Sequence, residues 1–418
     1  MLEYIRKLWK IEDLRKKILY TFGMLILFRL VGCIPAPGID TAAVGLGGSN
    51  LPLLDVMNMM TGGMMSQMTI MAMGISPYIN SSIIMQLLCI ALPVLERMQQ
   101  EEGGREKINR ISRYMTVALA LIQAIGLSNG LGYAKDGLWN NILIGVSMAG
   151  GTALAMWIGE RITDKGIGNG ISLLIFAGIV SNLFNGIVNG FRTAGTVTAF
   201  LGAFAILALL VILTAVVTFI DLGERRIPLQ IAKQVKGRRV YGGQNTHMTL
   251  KVIAVGVLPL IFAYSFLSFP GTIGQLVAPH SGFTAWCNEN LVNGAWVHLI
   301  LSALLIFAFT FFYSSISFDA KKQAEQLQQQ GATIPGRRGK DIAAYLQRTT
   351  NRLNLFAAIF LAVLAAIPTL MLKGLELSVP FAASSMLIAV SVSLETMRTI
   401  KGEMAIRGIE SNKDNGFM

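Results

Sequence analysis

The sequence predicts an all-α polytopic membrane protein, and three observations support this fold class. Of the 418 residues, 53% are apolar and only 14% are charged, with a mean hydropathy of +0.57. Soluble domains carry about 25% charged residues, so the composition excludes an ordinary soluble globule. Apolar runs long enough to cross a bilayer recur along the chain, and the basic residues lie between them.

The apolar runs predict ten transmembrane helices. Each run is bounded by charge, glycine or proline and has about the 20 residues that a helix needs to cross the hydrocarbon core. The runs lie at residues 18–34, 71–95, 112–132, 141–159, 171–190, 198–220, 252–269, 296–317, 353–372 and 379–397. No clean small-residue cleavage site follows the first run, so we expect a retained span there and not a secretory signal.

The distribution of basic residues predicts the orientation. The chain has 35 Lys and Arg against 23 Asp and Glu, and nearly all the basic residues fall in loops on the side of the N-terminus. The opposite side holds only Lys135, Arg192 and Lys373, while Arg29 lies within the outer half of the first run. The positive-inside rule therefore predicts that both termini are cytoplasmic, in agreement with an even number of spans.

Two of the predicted cytoplasmic loops, at residues 221–251 and 318–352, are much longer than the others. The first alternates apolar and basic residues around Gly242 and Gly243, a pattern typical of strands joined by a turn. The second contains a glutamine-rich stretch that predicts a helix, followed by the turn sequence IPGRRGKD. Long loops on a rigid scaffold commonly carry function, so we expect partner contacts here.

No catalytic, metal or cofactor site is predicted. Ligand-like or disulfide-like spacing is absent from the three cysteines and the three histidines, which are Cys33, Cys89, Cys287, His247, His280 and His298. The glycine-rich run KGIGNGIS (165–172) lacks the spacing of a phosphate-binding loop, and close helix packing explains it better. The topology separates every Ser-His-Asp, Cys-His or paired-carboxylate combination, so we do not expect an enzyme.

The side chains within the spans distinguish two kinds of transport protein. A secondary transporter for small solutes, the alternative function, normally keeps ionisable residues near the bilayer midplane, and these spans have none. Isoleucines recur instead: Ile75 with Ile79, and Ile171 with Ile175, each pair lying on one helical face. For an isolated pair, the simpler explanation is that the isoleucines face lipid or belong to the packed core.

A methionine-rich segment at residues 54–66 is apolar but too short to cross a bilayer. Methionine is flexible and fills irregular cavities, which suits a segment that seats in an opening and leaves it again. A re-entrant or interfacial helix that never moves is the other interpretation. The residue chemistry leaves both open.

Five motifs, in order along the chain, resemble the SecY family, whose members are the central channel subunit of the bacterial Sec protein translocase and are similar to the alpha subunit of the eukaryotic translocon. The motifs are VMNMMTGG (56–63), MGISPYINSSIIMQLL (73–88), DKGIGNGISLLIFAGIV (164–180), GERRIP (223–228) and LIFAYSFLSFP (260–270). The resemblance covers essentially the whole chain.

The resemblance implies a fold of two pseudo-symmetric five-helix halves around a central hourglass pore. The N-terminal half would be residues 1–195, with the plug segment 54–66, and the C-terminal half 196–418, with both long loops and a short C-terminal tail. The positions matching the family's aliphatic pore ring are Ile75, Ile79, Ile171, Ile175, Ile261 and Ile388. Those matching its plug are Met60, Thr61, Gly62, Gly63 and Met64.

The resemblance also implies a lateral gate between spans 2 and 3 and spans 7 and 8. Asn80 and Gln123 match polar gate positions, where we expect a hydrogen bond that favours closure. Contacts with the SecA ATPase or a translating ribosome are implied for Arg225, Arg226, Arg238, Arg239, Arg338 and Arg352. Gly339 departs from the proline of many members, which leaves Arg338 less firmly placed.

The function implied is a channel for unfolded preproteins and their signal peptides that opens sideways to membrane lipids. The implied partners are SecE and SecG, and SecA or a ribosome would supply the energy. The expected location is the plasma (inner) membrane of a bacterium, and no cofactor is implied.

Overall fold

The computed structural model describes residues 9, 11–39, 58, 61–130, 138–193, 197–231, 234–236, 239–241, 245–253, 256, 258–277, 281–291, 295–336, 340–375 and 383–406. Most of these residues are helical. The helices are α1 (Glu12–Val31), α2 (Ser76–Ala91), α3 (Pro93–Gln100), α4 (Gly104–Gly130), α5 (Leu138–Lys165), α6 (Gly170–Thr193), α7 (Val197–Asp221), α8 (Leu258–Val277), α9 (Gly282–Asn290), α10 (Trp296–Ser317), α11 (Ala320–Gln329), α12 (Lys340–Leu375) and α13 (Ala383–Ile406).

A helix overlaps each of the ten predicted segments, but fewer described helices meet the length and composition expected of a membrane span. Four do so by themselves, at Gly104–Ser128, Trp139–Lys165, Trp296–Gln329 and Asp341–Ala366, and α2 with α3 makes a fifth if the bent pair counts as one span. Shorter apolar helices are described at Gly170–Phe184, Val211–Asp221 and Leu258–Leu267. Helix α1 has acidic residues in its first turn and Arg29 in its last, so charge interrupts its apolar stretch.

The second predicted span is broken. Residues 71–95 form one apolar run in the sequence, yet helix α2 begins at Ser76, and the chain bends by 106° between α2 and α3. Leu92 has an extended backbone at the bend, immediately before Pro93. Proline disfavours a helical conformation in the preceding residue and donates no backbone hydrogen bond, which explains the break.

The helices pack through separate apolar clusters, one of which joins α1, α2, α5, α6, α8 and α13, while another joins α7, α8, α10 and α12. Helix α4 lies along α5, and α10 lies along α12. Helix α8 packs against both α2 and α4, while α13 packs against both α6 and α7. The N-terminal and C-terminal parts of the chain are therefore in contact at two places, where α8 meets α2 and α4 and where α13 meets α6.

The glycine-rich run between α5 and α6 serves close packing, as the sequence predicts. A Cβ at Gly170 would overlap the carbonyl oxygen of Gly159 on α5. Gly168 has a φ of +72°, a conformation that glycine adopts without strain. The backbone N–H of Ile167 donates to Thr21 Oγ1 on α1 at 3.1 Å, which fixes the turn against a third helix.

The two long loops fold together as one strand-bearing unit. Strand β1 (Glu224–Ile231) pairs antiparallel with β4 (Asn245–Lys251) and with β5 (Ala332–Thr333), which comes from the second loop. Strands β2 (Gln234–Lys236) and β3 (Arg239–Tyr241) form a separate hairpin. Helices α11 and α12 contribute to the core beneath the larger sheet.

The structure adds a hairpin to the first loop. Lys236 pairs with Arg239, so the chain reverses between these two residues, and the predicted turn at Gly242 and Gly243 lies outside the described residues. The predicted strands and the helix in the glutamine-rich stretch are confirmed.

Candidate functional site

The six isoleucines matched to a pore ring lie in one apolar cluster. They come from the start of α2 and from the first two turns of α6, α8 and α13: Ile75, Ile79, Ile171, Ile175, Ile261 and Ile388. Five are buried, with exposures between 4% and 7%, and Ile171 is partly buried and packs against them. Four separate regions of the chain supply these side chains, so only the folded structure brings them together.

An open cavity of about 310 Å³ adjoins this cluster at the strand-bearing end of the bundle. Three of the cluster isoleucines, Ile175, Ile261 and Ile388, belong to its lining. Its lining also includes neutral polar side chains and four charged residues, which are Asp221, Lys251, Glu395 and Arg398. The cavity therefore combines charged and polar groups with the aliphatic side chains of the cluster.

Two of the charged residues in this cavity are bound to each other. Arg398 Nη2 donates to the backbone oxygen of Asp221 at 2.8 Å and lies 3.5 Å from its carboxylate Oδ2. Burial raises the pKa of Asp221 above its ordinary value of 3.8, while the positive charges of Arg398 and Lys251 oppose that rise. The pair ties the end of α7 to α13.

The segment matched to a plug packs against the isoleucine cluster from the other side. We use the term plug candidate for residues 61–66 together with Asn58; Met60 lies outside the described residues. Met64 is 3% exposed and belongs to the same apolar cluster as the isoleucines. Gly62 and Gly63 have φ values of +75° and +87°, so consecutive left-handed residues turn the chain there.

Arg29 on α1 reaches both the plug candidate and α6. Its Nη1 donates to the backbone oxygen of Gly62 at 3.1 Å. Its Nη2 donates to the backbone oxygens of Ala177 at 2.7 Å and Gly178 at 3.4 Å. The sequence located Arg29 within the first span but gave it no partner, because its three acceptors are backbone atoms distant in the chain.

Asn182 on α6 makes a second polar contact with the plug candidate. Its Nδ2 donates to the backbone oxygen of Asn58 at 2.9 Å, and the backbone N–H of Gly63 donates to that same oxygen at 2.9 Å. Sequence reasoning missed Asn182. A polar side chain within the apolar fifth span was the available signal, but asparagine is common between packed membrane helices.

The two predicted gate residues lie on neighbouring helices without a bond between them. Asn80 is half-buried on α2, whereas Gln123 on α4 is 7% exposed. No donor among the described residues reaches Gln123 Oε1, so the expected hydrogen bond is absent. Ser81 Oγ instead joins the two helices by donating to the backbone oxygen of Ser112 at 2.7 Å.

A second open cavity, of about 230 Å³, lies where α2 and α4 approach α10. Its lining includes polar side chains of α2 and α4, a basic residue, and one apolar residue of α10: Ser82, Gln86, Asn109, Arg105 and Ile316. This is the seam at which the sequence places a lateral gate.

The predicted partner-contacting arginines are partly described. Arg225 and Arg226 are exposed on β1, and Arg352 is exposed on α12. Arg239 lies in β3 of the small hairpin, while Arg238 and Arg338 fall outside the described residues. Since β1 pairs with β5, the two basic loops are joined in one sheet.

Comparison with known proteins shows similarity over nearly the whole chain. The SecY family profile matches residues 69–397. The protein translocase subunit SecY of Streptomyces scabiei is 36% identical over 433 aligned positions, which cover 98% of this chain and 99% of that protein.

Solved structures show the same fold at lower identity. A SecY structure described by its plug domain, which stabilises the closed state of the translocation channel and maintains a membrane seal, has a TM-score of 0.69 at 18% identity. Sec61 in the canine ribosome-channel complex from the endoplasmic reticulum has a TM-score of 0.68 at 16% identity. Each similarity covers 95% of this chain and 95% of the other.

Proposed function

Because the chain belongs to the SecY family of protein translocase subunits, we propose that it conducts unfolded preproteins across the plasma membrane of a bacterium and releases hydrophobic helices sideways into the bilayer. In this proposal the ten helical segments are spans 1–10, the halves are residues 1–195 and 196–418, and both termini are cytoplasmic. The strong concentration of basic residues in loops on one side supports that orientation.

The observation that carries the proposal is the isoleucine cluster at the base of the large cavity. A channel for unfolded chains must admit every side chain while excluding ions. Branched apolar side chains from four regions discourage a continuous file of water, and they deform around a passing chain without binding it. The charged and polar groups of the cavity would keep an entering polypeptide hydrated until it reaches the cluster.

The seam between α2, α4 and α10 supports lateral release. A transmembrane segment leaves water for lipid most easily where helices separate without breaking many polar contacts. Two observations support a seam that can separate: Gln123 Oε1 has no donor among the described residues, and an open cavity already lies between α2, α4 and α10. A hydrophobic signal helix would compete for the seam by burying its own apolar face.

The basic residues of the two joined loops support an external driving partner. We assign Arg225, Arg226 and Arg239, with Arg238, to a ribosome contact directed at phosphates, and Arg352, with Arg338, to a SecA contact. SecA with ATP, or a translating ribosome, would push the preprotein through a passive channel. SecE would clamp the two halves from outside, with SecG beside it.

Transport by the reconstituted protein tests this function. The purified chain with a SecE partner would be placed in liposomes, and SecA, ATP and an unfolded preprotein would be added outside. We expect the preprotein to become protease-protected only when ATP is present. A SecY of known activity in parallel liposomes is the control, and absence of protection despite bound SecA would contradict the proposal.

A further inference from the structure

We infer that Arg29 is a positioning residue that latches the plug candidate in its closed seat. This inference rests on the channel function proposed above. It concerns how firmly the closed state is held, and its basis is the bridge that one guanidinium makes between α1, α6 and Gly62.

The latch has a fixed side and a releasable side. Nη2 of Arg29 is held by the backbone oxygens of Ala177 and Gly178 on α6, which do not depend on the plug candidate. Nη1 makes the single bond to the oxygen of Gly62. Displacing the plug candidate would therefore break one hydrogen bond and leave the guanidinium anchored, ready to bind the returning segment.

The charge of Arg29 strengthens this bond. Among the described residues, no carboxylate forms an ion pair with Arg29, and its hydrogen-bond partners are backbone carbonyl oxygens. Hydrogen bonds from an ionised donor are roughly twice as strong as neutral ones. Among the described residues, Gly62 is the one acceptor that Nη1 contacts. The latch therefore favours the closed state, in which this charged hydrogen bond is formed.

Gly62 is shaped for this contact. A Cβ at this position would lie 2.6 Å from Arg29 Nη1 and 2.8 Å from its Cζ, which is overlap. Its φ of +75° is also one that other residues rarely adopt. Both the turn and the approach of the guanidinium require glycine here.

Asn182 provides a second, neutral hold at the other end of the plug candidate. Its bond to the oxygen of Asn58 also originates from α6. The plug candidate is therefore fixed to the same helix directly through Asn182 and indirectly through Arg29. Because the Asn182 bond carries no charge, its loss should open the channel less than loss of Arg29.

Resting ion conductance in planar bilayers, without SecA or preprotein, measures how often the seat is empty. We expect Arg29→Gln to raise it at least about tenfold, which corresponds to about 1.4 kcal/mol. The conductance of Arg29→Lys should lie between those of Arg29→Gln and the native protein. Lysine keeps the charge but lacks the planar guanidinium that donates to acceptors on two sides. Lys17→Gln removes a cation from the same helix away from the plug candidate and should leave the conductance unchanged.

A pair of glycine variants tests the same contact from the opposite side. Gly62→Ala adds a methyl group that collides with the guanidinium, whereas Gly103→Ala imposes similar backbone strain, at a φ of +76°, with no atom within 4 Å. Only Gly62→Ala should raise the conductance. The double variant Arg29→Gln with Gly62→Ala should have a conductance no higher than that of the leakier single variant, because both changes remove the same contact between Arg29 and Gly62.

The outcomes separate the latch from the channel. Native resting conductance in both Arg29→Gln and Gly62→Ala, in a protein that still opens to preprotein and SecA, would overturn the latch and leave the channel function intact. Additive leakage in the double variant would also overturn it. Failure of the native protein to open or to protect preprotein would instead reject the proposed function, and the latch with it.

Discussion

The thioether of Met64 occupies the space where a side chain on Gly32 would lie. A Cβ at Gly32 would be 2.6 Å from Met64 Sδ, so the bare backbone after α1 forms part of the seat of the plug candidate. We expect Gly32→Leu to displace Met64 and raise resting ion conductance by about tenfold, the effect of losing roughly 1.4 kcal/mol of seating energy. Gly32→Ala should leak less, because a flexible thioether can move aside.

The matched control for this prediction lies in α1, which ends just before Gly32. No atom lies within 4 Å of a Cβ at Gly23, so Gly23→Leu adds the same bulk without touching the plug candidate. Equal leakage from the two leucine variants would contradict a seat formed at Gly32.

Polar substitution of the cluster isoleucines should weaken the seal. In Ile79→Asn and Ile175→Asn, an amide at the constriction would hold water that the aliphatic side chain excludes. We expect higher resting ion conductance and transport of preproteins with defective signal sequences. Ile79→Leu preserves apolar bulk and is the conservative control, while Ile142→Asn places the same amide on the exposed face of α5. Unchanged conductance in both cluster variants would remove the pore-ring assignment.

The buried side chain of Gln123 should lower the stability of the folded protein. Its Oε1 is buried without a donor, so Gln123→Leu should raise the free energy of unfolding by about 1 kcal/mol and favour the closed seam. Asn354 is the matched control, because this buried amide donates to Ser314 Oγ. Asn354→Leu should therefore destabilise the protein. Thermal unfolding in detergent measures both, and a lower midpoint for Gln123→Leu would show that the glutamine has a partner in solution.

Arg352 should be needed for SecA-driven transport but not for folding. Its side chain is exposed on α12, so we expect Arg352→Glu to abolish SecA-driven transport while the protein still binds SecE and unfolds at the native temperature. Lys16→Glu makes the same charge reversal at an exposed position of α1 and should transport normally. Native transport rates in Arg352→Glu would rule out the motor contact.

Local sequence patterns predicted the helices well because each one depends on residues close together in the chain. The apolar runs located a helix at every predicted segment, and the four-residue spacing of Ile75 and Ile79 placed both on one face. The second apolar run did not predict a break, although Pro93 divides it with a bend of 106°. Apolar character alone does not record where a helix bends.

The sequence by itself determined a helical membrane protein, its basic loops and, through motif resemblance, its family. Those properties follow from hydrophobicity, charge and motif order, which are all present in the amino-acid sequence. Only the tertiary structure decided that Arg29 binds Gly62 and α6, that Gln123 Oε1 meets no donor among the described residues, and that the two long loops share one sheet. Each of these depends on groups that folding brings together from distant parts of the chain. Every residue has a backbone carbonyl group, so residue types alone do not show which carbonyl will accept a given hydrogen bond.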